Sequence, residues 1–322
     1  MRLRPAVAVL VVLLAGSACG DQGQGAGVVG RAAGTPPPPG LLPAPPAPGG
    51  DGTPRALVTS AGIVVPVVSP AGDGWTVRTP CNATATLTGS QARSAGSPVV
   101  VLDPGHGGAQ PGAISPAGLT EAAVNLAVAR EAQAALAAAG VPALLTRTGD
   151  YDLSLATRSE IARAVAPRAF VSIHHNADPD GPRAGPGSET YYQVGSAGSK
   201  RLAGLVYEEV VRALSAYAAA WVADRDAGAK YRTGSQGDYY AVLRQSPDVV
   251  SVLAELAFVT NPSEADLLAR PDVQRAEGQA VARGIVRYLT TRDPGSGFVD
   301  PYPRTDPPPA AGPPPACHDP RL

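Results

Sequence analysis

The sequence has almost no net charge, and this lack argues against functions that depend on a strong electrostatic field. Its 26 Lys and Arg residues nearly balance its 27 Asp and Glu residues, which leaves a formal net charge of −1. A protein that neutralises nucleic-acid phosphates needs clustered basic residues. We therefore do not expect this protein to bind nucleic acid. Internal repeats at the periods of solenoids or propellers are also lacking, which argues against those architectures.

A long apolar run is lacking as well. The apolar run at residues 6–15 is too short to span a bilayer as a mature helix. It follows Arg2 and Arg4 and precedes small residues, which is the pattern of a secretory signal peptide. We predict a signal peptide over residues 1–19 and an extracytoplasmic protein, either secreted or associated with the cell envelope. Cys19 is either lipidated, which would anchor the protein to the membrane, or lies near an ordinary cleavage site, because Gly16 stands where a lipoprotein signal usually has Leu.

Cysteine is scarce, with three residues in the chain. Once Cys19 is assigned to the signal region, Cys81 and Cys317 remain. Export to an oxidising compartment would permit a disulfide between them. Two free thiols are the other alternative, and the sequence does not choose between the two.

Proline and glycine, at 35 and 37 residues, concentrate at the two ends of the chain and shorten the part that can fold. Residues 20–55 have few large apolar side chains and are predicted to form an extended linker. Residues 292–322 are predicted to form a similar Pro-rich tail. Between linker and core, residues 56–97 carry short Val-rich runs broken by Pro and Gly, which predict a small β appendage built on a hairpin.

Apolar strands alternate with helical segments from residue 98 to residue 291. We predict strands at 99–102, 141–146, 169–173 and 249–254, and helices at 121–139, 155–165, 199–214, 263–269 and 273–289. Thr120 and either Asn261 or Ser263 are suited to cap helix N-termini, and Gly140 is suited to end a helix. This alternation predicts an α/β fold with a mostly parallel twisted sheet and helices on both faces.

Histidine is also scarce, with four residues, and three of them lie beside predicted strand ends. His106 follows the first strand of the core, and His174 and His175 follow the third. Glu255 follows the fourth strand. Because ligands bind outside the carboxyl ends of strands in an open α/β sheet, we expect these side chains to meet at one edge. Glu121, in the first turn of the helix after His106, returns to the same edge.

Two imidazoles and one carboxylate form the ligand set of a catalytic zinc site, which keeps its fourth position for water. Zinc lowers the pKa of that water toward neutrality, and a second carboxylate can take the proton as the water attacks a carbonyl. Glu255 suits the role of this base. A purely structural acid at the end of an apolar strand would be costly to desolvate.

Each of these residues has a simpler explanation when it is taken alone. A single histidine after a Gly-rich turn is more often a turn or core residue than a ligand, and Glu121 is favoured by the helix dipole. Adjacent strand residues point to opposite faces, so at most one of His174 and His175 serves the site. The coincidence at three strand ends favours a zinc hydrolase. Its substrate does not follow from these residues.

Six segments, in order, resemble the successive motifs of the zinc-dependent N-acetylmuramoyl-L-alanine amidases of the amidase 3 type. They lie between residues 98 and 290 and read LDPGHGG (102–108), GLTEAAVNLA (118–127), SIHHNA (172–177), GSETYY (187–192), VLR (242–244) and LAELAFVTNPSEA (253–265). The resemblance implies the α/β fold predicted above. It also implies hydrolysis of the amide bond between the lactyl group of N-acetylmuramic acid and L-alanine in peptidoglycan.

The resemblance also implies roles for individual residues. At one position, His175, the chain departs from the family pattern. Many relatives have a small residue where this chain has His175, which we do not assign to the ligand set. The implied roles are zinc ligands for His106, Glu121 and His174, catalysis for Glu255, and lining of the groove for the peptide stem for Asn176 and Arg244.

Two other function classes are weighed against the amidase. A glycosidase would need two carboxylates across a sugar ring, for which Glu121 and Glu255 are the suggestive pair, but it would leave His106 and His174 without a role. A catalytically inactive wall-binding or activator module conflicts with an intact ligand set. Peptidoglycan is the expected partner in every case, and the sequence leaves open whether a protein activator is needed.

Overall fold

The structure is a computed structural model that describes residues 52–177, 187–217, 227–301 and 316–322. The predicted signal peptide, Cys19 and most of the predicted linker lie outside these ranges, as does part of the predicted tail. Within the described ranges, no helix has both the length and the apolar character needed to cross a membrane.

An antiparallel sheet of five strands precedes the core. Its strands are β1 (Ala56–Thr59), β2 (Val64–Ala71), β3 (Gly74–Arg78), β4 (Thr84–Thr88) and β5 (Ala92–Ser94), in the order β4-β3-β2-β1-β5. The appendage is thus larger than the predicted hairpin. Strands β4 and β5 were not recognised because they are short and rich in Thr and Ala, with Leu87 as their one buried large apolar residue.

The core is built on a central sheet of six strands. In chain order, the strands of the core are β6 (Val100–Pro104), β7 (Ala143–Leu145), β8 (Ala169–Asn176), β9 (Glu189–Tyr192), β10 (Gly228–Lys230), β11 (Thr233–Gly234), β12 (Gly237–Asp238) and β13 (Ser251–Phe258). The central sheet has the order β10-β9-β13-β8-β6-β7, while β11 and β12 pair separately. Among the described strands of this sheet, only the β9–β13 pair is antiparallel. The prediction of a mostly parallel sheet is confirmed.

The helices surround this sheet. They are α1 (Glu121–Ala138), α2 (Leu155–Val165), α3 (Ala197–Leu214), α4 (Ala241–Arg244), α5 (Pro262–Leu268) and α6 (Pro271–Thr290). Thr120 caps α1 by accepting the N–H of Ala123. Asn261, not Ser263, caps α5, because its side chain accepts the N–H groups of Ser263 and Glu264. The ends of the five helices predicted from sequence agree with these bounds to within two residues.

Apolar side chains cover both faces of the central sheet, as predicted. On one face, Val128 of α1, Leu205 of α3 and Val281 of α6 are fully buried together with Ile173 of β8. On the other face, Phe170 of β8 packs in a second cluster with residues of α2, α4 and β1. Burial on both faces explains why the strands read as continuous apolar runs rather than as alternating patterns.

The appendage is attached to the core through α2 and the loop before it. Arg78 pairs with Glu160 of α2, with Nε and Oε2 3.2 Å apart. The hydroxyl of Thr148 donates to the carbonyl oxygen of Gly62 at 2.7 Å. The appendage therefore braces the segment from Thr148 to α2, which also supports the loop after β6.

The end of the chain returns to the appendage, where Cys81 and Cys317 form a disulfide. This selects one of the two alternatives that the sequence left open. Asp319 adds hydrogen bonds from the hydroxyl of Thr79 and from the backbone N–H of Cys81, both at 2.7 Å. The sequence separation of the two cysteines is 236. In the loop-entropy model, closing a loop of this length stabilises the fold by about 5 kcal/mol as an upper bound.

A carboxyl group in the first turn of α5 is fully buried. One oxygen of Glu264 accepts the backbone N–H of Phe258 at 2.5 Å. Burial, assisted by the charge of Glu277, raises the pKa of Glu264 to about 8, although the hydrogen bond from Phe258 acts in the opposite direction. The folded protein therefore binds a proton that the unfolded chain releases at lower pH. The stabilisation is complete below the unfolded pKa of 4.5 and is lost as the pH rises through about 8.

We expect the free energy of unfolding to fall by a few kcal/mol between about pH 5 and pH 8, because a tenfold change in proton affinity between the folded and unfolded states corresponds to about 1.4 kcal/mol. Glu264→Gln, which stays neutral, should flatten this slope. Urea unfolding at a series of pH values measures it, with Glu131→Gln on the half-buried side of α1 as the control. Equal slopes for the wild type and Glu264→Gln would show that Glu264 is not the titrating group.

Candidate active site

The loop after β6 presents His106 in an unusual backbone conformation. Its φ of 61° lies in the left-handed region, which costs a non-glycine residue about 1–2 kcal/mol. Arg158 offsets this cost by donating from Nη2 to the carbonyl oxygen of His106 at 2.7 Å. The strained conformation is therefore held by a side chain from α2, and it directs the imidazole toward Glu121.

A second arginine, Arg147, stabilises the same loop through hydrogen bonds to its backbone. Its side chain is fully buried, and it donates to the carbonyl oxygens of Pro104, Gly105 and Ala122 at 2.7–2.9 Å. These bonds connect the loop of His106 to the first turn of α1. Sequence analysis did not single out Arg147 or Arg158, because nothing in the pattern shows that an arginine is buried.

The carboxylate of Asp103, near the end of β6, holds Arg158 in place under the loop of His106. It forms a buried ion pair with Arg158, with Oδ1 and Nη1 2.8 Å apart. Burial by itself would raise the pKa of Asp103. The guanidinium of Arg158 and the hydroxyl groups of Thr146 and Ser172 outweigh burial and hold the pKa of Asp103 below its usual value. Asp103 therefore stays ionised beneath the loop.

Glu121, at the first position of α1, lies between the two histidines. Its Oε2 is 3.0 Å from Nε2 of His106, and its Oε1 is 3.0 Å from Nδ1 of His174. Its oxygens also accept the backbone N–H groups of Ala113 at 3.0 Å and His175 at 3.2 Å. Burial would raise the pKa of Glu121, but the two histidines lower it well below its usual range. The carboxylate is thus ionised and fixed in orientation.

Burial lowers the pKa of His174, while the neighbouring Glu121 opposes that shift. The neutral imidazole is favoured, and this is the form that binds a metal. His174 lies inside β8, which continues to Asn176 beyond its predicted end. Glu255 likewise lies inside β13 and not after it. The two residues are register partners on adjacent parallel strands, so they lie side by side on the sheet.

The structure brings His106, Glu121 and His174 together as one group of possible metal ligands. One ligand atom from each residue lies within 4.8 Å of the others. The donor set fits zinc, since two imidazole nitrogens and one carboxylate leave a tetrahedral position open. Glu121 is buried, whereas both histidines are partly exposed, so a substrate can approach from the side of the histidines.

Both histidines line a cavity of about 470 Å³ beside the ligand group. Tyr240 lines it as well, and burial together with the charges of Glu255 and Glu189 raises the pKa of Tyr240 well above its usual value. The remaining lining residues are Gln110, Leu153, Leu155, Arg158, Tyr239, Ala241, Val242 and Leu253. The cavity therefore has mostly apolar and aromatic walls, and two of the three possible ligands are exposed to it.

Comparison with known proteins decides the family. The family model of the N-acetylmuramoyl-L-alanine amidases of the amidase 3 type matches residues 100–287. The chain belongs to this family. The match begins with β6 and ends within α6, so it includes the three possible ligands and Glu255.

Individual members of the family align over the same part of the chain. The amidase AmiC of Neisseria meningitidis is 32% identical over 243 residues, which cover 62% of this chain and 55% of AmiC. The amidase AmiA of Escherichia coli is 31% identical over 228 residues, which cover 61% of this chain and 78% of AmiA. The crystal structure of an amidase from Clostridium difficile 630 matches with a TM-score of 0.52 and 29% identity, and the match covers 60% of this chain and 96% of that chain.

Two glycines of this family member leave the space that the ligands occupy. A Cβ atom on Gly105 would lie 2.2 Å from the ring of His174. A Cβ atom on Gly112 would lie 2.5 Å from Oε2 of Glu121, and the φ of Gly112 is +70°. Sequence analysis recognised a Gly-rich loop here. That the loop must be free of side chains to admit the ligands follows only from the structure.

The two residues that the resemblance assigned to the peptide groove make contacts within the protein. The side-chain amide of Asn176 donates to Oε2 of Glu189 at 2.7 Å. Nη1 of Arg244 donates to the carbonyl oxygens of Asp238 at 2.6 Å and Tyr239 at 2.9 Å. Neither residue is among those that line the cavity in the described part of the chain. Substrate binding by Asn176 and Arg244 stays a prediction.

Sequence analysis assigned no role to several residues that lie near the site. Tyr239 lines the cavity, and the guanidinium of Arg232 stacks on it with Cζ 3.6 Å from the ring centre. Glu189, the antiparallel register partner of Glu255, forms a buried ion pair with Lys230 at 2.6 Å. In the sequence, the adjacent tyrosines at 239–240 were the only pattern that could have indicated a cavity wall here. The partners of Glu189 and Lys230 depend on strand order, which the sequence does not show.

Proposed function

We propose that this protein is a zinc-dependent N-acetylmuramoyl-L-alanine amidase. It would hydrolyse the amide bond between the lactyl group of N-acetylmuramic acid and L-alanine in bacterial peptidoglycan. The observation that carries this proposal is the meeting of His106, Glu121 and His174 beside Glu255, with both histidines lining a cavity. Membership in the amidase family supports the substrate class.

His106, Glu121 and His174 would hold the zinc ion. When bound there, zinc supplies a Lewis acid that polarises the amide carbonyl and lowers the pKa of a water molecule. Arg158 and Arg147 keep the backbone of the His106 loop in place, which preserves the geometry of the ligand group.

Glu255 would act as the base and then as the acid. Its carboxylate takes the proton of the water molecule as the oxygen attacks the carbonyl carbon. It then returns the proton to the nitrogen of L-alanine as the carbon–nitrogen bond breaks, so that a free amine leaves. Its place beside His174 on the adjacent strand supports this role, because a base must lie within reach of the attacking water.

The apolar side chains of the cavity would receive the small apolar parts of the substrate around the scissile bond. Leu155 is half exposed and lines the cavity together with Leu153 and Val242. Methyl groups of the lactyl unit and of L-alanine are suited to these walls. Asn176 and Arg244 would contact the peptide stem, as the family resemblance implies. An extracytoplasmic location, through the predicted signal peptide, agrees with a substrate that lies outside the cytoplasm.

Digestion of purified sacculi tests the proposal. Chelation of the purified protein should abolish the release of free stem peptides, and added zinc should restore it. Mass spectrometry of the products separates the function classes, since a glycosidase would produce new reducing sugar ends and a binding module would release nothing. Full release of stem peptides by a rigorously metal-free protein would refute the role of zinc.

A further inference from the structure

His175 lies on the opposite face of β8 from the cavity and has no role in the chemistry proposed above. It is 1% exposed, so its ring nitrogens can bond only to other protein groups or to buried water. Nδ1 lies 2.7 Å from Oδ1 of Asn125 in α1, and Nε2 lies 3.4 Å from Oε2 of Glu277 in α6. A buried imidazole with a polar partner on each side has a fixed ring orientation.

The orientation of the Asn125 amide follows from its other partners. Its Nδ2 lies 3.2 Å from the carbonyl oxygen of Gly105 and 3.3 Å from Oε1 of Glu121. Both of these oxygens act as acceptors, because a backbone carbonyl oxygen carries no hydrogen and Oε1 of Glu121 already accepts the backbone N–H of His175. Nitrogen must therefore face them, and oxygen must face His175. Because that oxygen can only accept, Nδ1 of His175 must carry the hydrogen.

The inverted amide would be unfavourable on both sides. With Asn125 turned over, its oxygen would face the carboxylate of Glu121 and the carbonyl of Gly105, and its NH2 group would face a ring nitrogen that carries a hydrogen. The Nδ1–H of His175 thus stabilises the amide orientation in which Asn125 donates to Glu121 and disfavours the inverted one. Groups that hydrogen-bond to a metal ligand orient it and tune its affinity for the metal.

We propose that His175 is a positioning residue for the metal site. Through the amide of Asn125 it orients Oε1 of Glu121, the oxygen that also lies 3.0 Å from Nδ1 of His174. The backbone N–H of His175 donates to the same oxygen at 3.2 Å, so one residue holds Glu121 both directly and through Asn125. This inference rests on the proposed function, because it takes Glu121 to be a metal ligand.

Two substitutions of His175 distinguish the contributions of its two ring nitrogens, because each keeps the contact made by only one of them. In His175→Asn, the side-chain amide reaches about as far as Nδ1, so an N–H donor toward Asn125 is kept and the contact with Glu277 is lost. In His175→Gln, the amide reaches about as far as Nε2, so the contact with Glu277 is kept and the donor toward Asn125 is lost. Both variants replace a buried ring with a smaller polar group, so a loss of packing affects them alike.

We expect the zinc affinity of His175→Asn to stay close to that of the wild type and that of His175→Gln to fall by about 10- to 100-fold. The dissociation constants are measured by competition with a chromophoric chelator, without reference to activity. Thermal unfolding of the metal-free proteins reports the loss of packing, which should be similar in the two variants. Equal zinc affinities for His175→Asn and His175→Gln would overturn the positioning role.

A measurement on the wild type decides the question even if the variants do not fold. In zinc-loaded protein labelled with 15N at its four histidines, we expect a slowly exchanging proton on Nδ1 of His175, close to the side-chain amide of Asn125. An Nδ1 that carries no hydrogen would overturn the inference. If the wild type bound no zinc, the proposed function itself would fall. If it bound zinc without this Nδ1 proton, only the positioning role would fall.

Discussion

Glu255→Gln is expected to lower the rate of amide hydrolysis by about 10²- to 10⁴-fold, the usual cost of removing a general base. Glutamine keeps the size of the side chain but cannot accept a proton from water. His106, Glu121 and His174 are unchanged, so the protein should keep its fold and its zinc. Stem-peptide release from sacculi and the metal content of the same sample measure the two quantities.

His174→Ala is the matched contrast on the neighbouring strand. It removes one of the three proposed ligands, so the zinc content and the activity should fall together. The two residues are register partners, which makes their local backbone environments similar. Near-normal turnover in Glu255→Gln, or loss of zinc as in His174→Ala, would mean that Glu255 is not the base.

Gly105→Ala is expected to reduce activity by about 10²-fold or more, although no ligand or base is altered, because misplacing a reacting group by about 1 Å has a cost of this size. The added methyl carbon would lie 2.2–2.6 Å from three atoms of the His174 ring. The ring must move, and it would then leave the orientation in which its Nδ1 faces Glu121. Zinc content, measured on the purified variant, should fall as well.

Gly89→Ala is the control for this substitution. Gly89 lies in the appendage, and the nearest atom to its added methyl carbon would be the carbonyl oxygen of Asp73 at 3.8 Å, an ordinary contact. We expect this variant to keep both zinc and activity. Wild-type zinc affinity in Gly105→Ala would show that the ring of His174 has room to move or does not bind the metal.

The helices of the core could be read from the sequence because their signals are local. Thr120 caps α1 as predicted, and the predicted span of α2 agrees with the structure. The short strands were harder to read. Strands β9 and β10 have four and three residues, respectively, too few to show a periodic pattern. The place of β9 beside β13 and of β10 beside β9 depends on long-range pairing, which no local pattern encodes.

The candidate site was predictable where its residues lie next to apolar runs in the sequence and unpredictable where residues only support it. His106 and His174 stand beside apolar runs, and the geometry of a parallel sheet brings such positions to one edge. Arg147, in contrast, lies in a polar segment whose burial depends on the loop that covers it. Tyr240 lines the cavity through a short helix, α4, that is not evident in the sequence.

By itself, the sequence determined the order of the five longer helices and of the four apolar strands of the core, and the residue types able to bind a metal, because both follow from local composition and spacing. It also limited the site to one of His174 and His175, because neighbouring strand residues point to opposite faces. Only the tertiary structure decided that His174 faces Glu121 while His175 faces Asn125 and Glu277. It also decided that the tail returns to the appendage through Cys81 and Cys317. Contacts of this kind depend on which distant segments pack together, and that is settled only when the whole core closes.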